Sequence, residues 1–141
     1  MKKILTILLL VLVLNGFGQE IRGHLIRTHT CELLDSGGYK IIKSHNYYQT
    51  FARITQDKFF VHGEGIHIVI DLYDKQVDSS DKDNWVVHFI GEARKTNYIV
   101  AVRMCEGNIL LATFPTNGSN KFYEYVIKPR KEKTEKVKPT N

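Results

Sequence analysis

From Ile21 to Ile127 the chain is a succession of short runs rich in β-branched and aromatic residues, broken by clusters of Gly, Asn, Asp, Ser and Pro. Strands produce this rhythm, because a pleated backbone suits branched side chains and a chain reversal suits residues that tolerate unusual dihedrals. The cluster DSGG at 35–38 separates a run over 21–34 from another that begins at Tyr39. GEG at 63–65 lies between KFFVH and IHIVIDLY, and the polar stretch over 74–84 leads into WVVHFIGEAR, opened by Trp85. KTN at 95–97 and EGN at 106–108 flank YIVAVRMC, and PTNGSN at 115–120 separates ILLATF from KFYEYVI. That last connection carries Asn117-Gly118, a strong hairpin signal because both residues accept positive φ. The count is about eight strands, mostly joined as consecutive hairpins.

One segment follows a different period. Tyr47, Phe51 and Ile54 stand at i, i+4 and i+7 behind Ser44 or Asn46 as an N-cap, which predicts a short helix over 46–54. The whole predicts an all-β domain, a small antiparallel meander closed or partly closed into a barrel, because closure removes exposed edges. A two-layer β-sandwich is the alternative. Residues 98–102 and 109–112 are apolar at nearly every position, so both faces of those strands require cover. The predicted helix, a second sheet or a partner chain would supply it.

The chain ends differ from this body. Lys2 and Lys3 precede an apolar stretch over 4–14, and Gly16 and Gly18 occupy −3 and −1 of a cut before Gln19. This layout predicts a secretory signal peptide over 1–18, since about 11 apolar residues fall short of the roughly 20 that span a bilayer as a helix. The expected destination is secreted or periplasmic, with no transmembrane segment after cleavage. Residues 128–141 hold six of the 20 basic residues and two of the 15 acidic ones, and this composition predicts a disordered basic tail. With leader and tail set aside, the single domain over 19–127 has 12 basic and 13 acidic residues. The formal net charge of +5 therefore comes from the ends, and the body predicts no nucleic-acid partner.

Export changes the reading of Cys31 and Cys105. In an oxidising compartment the two predict a disulfide, closing a loop of about 75 residues and contributing roughly 4.5 kcal/mol in the chain-entropy account. Two cysteines alone cannot build a thiolate zinc site. His24, His29, Cys31 and Glu32 lie close in sequence, and a Cys31–His29 nucleophile pair would require a free thiol and an oxyanion site.

The stretch HGEGIHIVID at 62–71 raises a metal site, zinc or copper, built on His62 and His67 with Glu64 as a further donor. Two registers were compatible with its turn chemistry. A two-residue turn at Gly63-Glu64 pairs Phe60 with His67, places Phe59, Val61, Ile66, Ile68, Ile70 and Leu72 inside, and makes His62 and His67 diagonal neighbours outside. A three-residue turn with Gly65 in a G1 bulge pairs His62 with Ile66 and sends His67 to the opposite face. Asp71, Asp74, Asp78, Asp81 and Asp83 lack the glycine and glutamate of an EF-hand loop. No phosphate loop, nucleophile elbow or dinucleotide fingerprint occurs. The sequence thus points to an exported, non-enzymatic β-domain that binds a small apolar ligand or an envelope or extracellular protein, with Tyr98, Tyr123 and Tyr125 as contributors to the binding surface. A metal-binding protein using His62 and His67 is the second reading, and an exported hydrolase the third.

Overall fold

The computed structural model describes residues 20–78, 80 and 86–130. They form eight antiparallel strands and no helix: β1 (Ile21–Leu33), β2 (Tyr39–Ile54), β3 (Lys58–Gly63), β4 (Ile66–Asp78), β5 (Val86–Ala93), β6 (Thr96–Cys105), β7 (Asn108–Pro115) and β8 (Lys121–Pro129). Each strand pairs with its successor, and β8 pairs with β1, so the sheet closes into a barrel. The predicted signal peptide over 1–18, Trp85, Asp81 and Asp83 lie outside the described residues, as does 131–141 of the basic tail. β8 runs further than the composition suggests: Lys128 pairs with His24 and Pro129 with Gly23.

Period-two burial accounts for the closure. Ile21 and Leu25, Ala52 and Ile54, Phe59 and Val61, Ile70 and Leu72, Val87 and Phe89, Val100 and Val102, Ile109 and Leu111, and Tyr125 and Ile127 form one cluster of inward side chains. Phe59, Val61, Val87, Val100 and Leu111 are fully buried. An eight-stranded barrel has a lumen of side-chain dimensions, and these residues project into it as one packed cluster. Gly91 makes room for two of them, since a Cβ there would stand 2.8 Å from both Ile70 Cγ2 and Val100 Cγ2.

Three hairpins turn on two residues that both have positive φ: Glu64-Gly65 (34° and 79°), Arg94-Lys95 (49° and 64°) and Glu106-Gly107 (52° and 81°). These are type I′ angles, whose twist matches that of the flanking strands. The helix predicted over 46–54 is instead the C-terminal part of β2. Thr50, Ala52 and Ile54 alternate inward, and pairing with β1 and with β3 outweighs the local i, i+4, i+7 spacing. No helix or second sheet covers the outer sides of β6 and β7 among the described residues. Ala101, Leu110 and Ala112 are half-buried there and Ile99 is exposed.

A smaller cluster sits apart from the lumen. Cys31 and Phe122, paired across β1 and β8, are buried yet stand outside the main core. Phe122 packs against Phe114 (ring centroids 4.5 Å) and against Tyr39 (5.5 Å). Glu124 is also buried, and its carboxylate raises the Tyr39 phenol above its ordinary range.

Candidate functional site

The most distinctive surface follows from unequal strand lengths. β2 has 16 residues and β3 only six. β3 pairs with β2 at four positions, Phe51–His62, Ala52–Val61, Arg53–Phe60 and Ile54–Phe59. Over residues 39–46 of β2 the strand pairs are therefore with β1 alone among the described residues. Two register shifts, between Leu25 and Arg27 and between Thr30 and Cys31, bend this β1–β2 arm as it passes the barrel rim. The arm carries much of the exposed apolar surface: Leu33, Leu34, Tyr39, Ile41, Ile42 and Tyr48, the last 81 % exposed. Between Tyr39 and Gln49 the charged residues are Lys40 and Lys43, with His45 beside them and no acid.

Glu64 ends the open edge. Its carboxylate accepts hydrogen bonds from Tyr48 N (2.9 Å), Gln49 N (2.9 Å) and Thr50 Oγ1 (2.6 Å). These bonds hold the Glu64 carboxyl below the usual carboxylate range, Thr50 contributing most. The side chain offered by sequence as a third metal donor is thus committed to the backbone of β2.

The hairpin that carries Glu64 adopts a register other than the two its sequence suggested. The turn residues are Glu64 and Gly65, so Gly63 pairs with Ile66 and His62 directly with His67. Turn chemistry decides it: type I′ needs two positive φ values, and Gly65 supplies the second without steric cost. The inward set predicted by sequence is retained. Outside, His62 Nδ1 and His67 Nδ1 lie 3.2 Å apart. Phe60 flanks both rings, with centroids 6.2 Å from His62 and 5.6 Å from His67. No group of three His, Cys, Asp or Glu side chains is placed to hold a metal among the described residues.

Beside this pair runs a groove of about 640 Å³, lined by Arg22, His24, Phe51, Arg53, Phe60 and Arg130 among others. Arg53 stands over the Phe60 ring at 5.6 Å, and His24 packs on Phe51 at 5.3 Å. The Glu20 carboxylate bridges Arg22 and Arg53, 3.4 Å from the latter. Sequence reasoning missed this groove because its arginines come from β1, β2 and the end of β8, and only the barrel brings them together.

The tyrosines divide by depth. Tyr125 lies in the core against Phe59 (5.2 Å), and burial pushes its phenol well above its ordinary range. Tyr98 is half-buried against the core, and Tyr123 is 49 % exposed. Tyr123 is therefore the one of the three that presents most of its ring to solvent.

The predicted disulfide is absent: Cys31 and Cys105 are both free thiols. Around the wall, β8 and β7 stand between β1 and β6, and the two cysteines sit on different strand pairs. Burial, with the Glu124 charge second, raises the Cys31 thiol to about 11. That shift favours the thiol over the thiolate that nucleophilic chemistry needs. His29 does not serve it either, because its Nδ1 bonds Ser44 Oγ at 2.7 Å. Of the acidic positions, Asp71 faces Lys58 at 4.0 Å and Asp78 accepts from Ser80.

These features define a closed eight-stranded antiparallel barrel with one projecting strand edge. No known family, curated protein or solved structure matches the chain.

Proposed function

We propose that this is an exported, non-enzymatic binding protein that takes a polypeptide partner in extended form along the open edge of β2. The observation that carries the reading is the run of residues 39–46, with a β1 neighbour on one side and none among the described residues on the other. Such an edge is a ready template for another strand, and proteins ordinarily blunt it. Here the run combines Tyr39, Ile41 and Ile42 with Lys40 and Lys43. A strand with acidic residues beside apolar ones complements it in both respects. The inward side chains form one packed cluster while the apolar side chains of the β2 run stand exposed outside it, which favours an outer binding surface over an enclosed apolar ligand. Export rests on the leader layout described above.

The test is selection of displayed peptides on the purified protein, followed by fluorescence anisotropy. Extended, acidic peptides are expected to bind, and Ile41→Lys with Ile42→Lys should weaken them about tenfold or more while the melting temperature stays within a few degrees. Peptides that bind the doubly substituted protein equally well would remove the edge from consideration. Sedimentation of the free protein gives the other outcome: a stable dimer lost in the same variant would make the partner a second copy.

A further inference from the structure

We propose that His62 and His67 form a two-point chelate for a divalent first-row transition ion, copper(II) above zinc(II). The type I′ turn at Glu64-Gly65 sets the two histidines directly opposite each other on the outer face. Their Nδ1 atoms are separated by 3.2 Å. Two nitrogens at that separation, each about 2.0–2.1 Å from a common ion, subtend roughly 100–105° at the metal. That angle lies between the square-planar and tetrahedral values, so a small rotation of each ring converts a contact between imidazoles into a chelate. The rings meet at 85°, and Phe60 lies against both, which restricts the alternatives each can adopt. Ring nitrogens suit copper, zinc and nickel, and copper(II) stands highest in the affinity order.

The site differs from a structural zinc centre. Glu64 is held by Tyr48, Gln49 and Thr50 and is not a ligand, so water completes the coordination and exchange is fast. The protein supplies a pre-set pair of donors on a rigid hairpin, which favours an exchangeable ion over a permanently resident one. Arg53, over the Phe60 ring, adds a positive charge to the neighbourhood and works against affinity. Binding in the micromolar range rather than tighter is the expected consequence.

Calorimetric titration of the untagged protein with copper sulfate and with zinc chloride tests this. One copper ion per chain is expected, bound more tightly than zinc, with two nitrogens in the hyperfine structure of the electron paramagnetic spectrum. His62→Ala or His67→Ala should weaken copper about tenfold or more, the double variant should remove the site, and His88→Ala on β5 should leave it unchanged. Both histidines are exposed, so these variants keep the fold, which circular dichroism would verify. Copper binding that persists in the double variant, or no binding below about millimolar in the native protein, would overturn the proposal.

Discussion

Individual residues show where the barrel stores strain and where it relieves it. Arg94 and Lys95 occupy left-handed backbone angles that favour Gly and Asn, at a cost of roughly 1–2 kcal/mol per ordinary residue. Lys95→Gly is therefore expected to stabilise the protein by about 0.5–1 kcal/mol, read as a shift in the urea midpoint at unchanged slope. Phe59→Ala should cost about 3–5 kcal/mol by the same measurement, because Phe59 is fully buried against Tyr125. Glu64 gives a pH prediction. Its folded-state pKa lies below the usual carboxylate range, so its contribution is present above that range and is lost as the pH falls through the depressed value. The protection factors of the Tyr48 and Gln49 amides, taken against their intrinsic rates, should then fall in acid, and Glu64→Gln should reproduce the effect near neutral pH. The free cysteines were not legible from compartment and composition, since a disulfide depends on Cα separation and the barrel decides that. Thiol labelling should modify half-exposed Cys105 first and Cys31 only on unfolding.

Elements show which signals in the sequence were decisive. The strand and turn rhythm marked the positions of the eight strands closely, because alternation and turn residues agree locally with the final fold. The same agreement failed at 46–54, where an apolar spacing of helical period sits within a strand. Thr50, Ala52 and Ile54 supply the competing two-residue period, and the strands that select it are β1, distant in sequence, through Leu25, and β3, the next strand of the chain, through Phe59 to His62. The hairpin register was legible as to faces but not as to turn: the inward isoleucines emerge from alternation, whereas direct pairing of His62 with His67 depends on two positive φ values at Glu64 and Gly65. Pairing strength also varies between seams. β2 and β3 share four residue pairs, against eight between β5 and β6. Hydrogen exchange in the native protein should therefore begin at the β2–β3 seam, with β5 and β6 among the last to open.

At the scale of the molecule, the inward side chains pack as one cluster, and the proposed recognition lies on the outside. The barrel holds three features there: the arm of β2, which has no strand neighbour on its second edge among the described residues, the histidine pair and the arginine groove. The histidine pair was legible as a candidate metal site because both residues lie on one hairpin, whereas the arm and the groove were not, since they depend on one strand outrunning its neighbour or on strands that meet only through closure. What composition did reveal is the charge division between body and ends. The apolar residues over 98–102 and 109–112 required cover on two faces, and the structure provides it fully on one and in part on the other, where Ala101, Leu110 and Ala112 are half-buried and Ile99 is left in solvent. The arm is the feature on which the functional account depends, because it combines open main-chain groups with exposed apolar side chains and a one-signed charge.

The most direct test is residue-resolved hydrogen exchange of the protein with and without a peptide selected for binding. The account predicts that alternate amides over 39–46, those directed away from β1, become protected on binding, while those paired with β1 change little. Protection that appears instead around Arg53 and Arg130, or at Tyr98 and Tyr123 with the β2 edge unchanged, would contradict strand addition and move the binding surface elsewhere on the barrel.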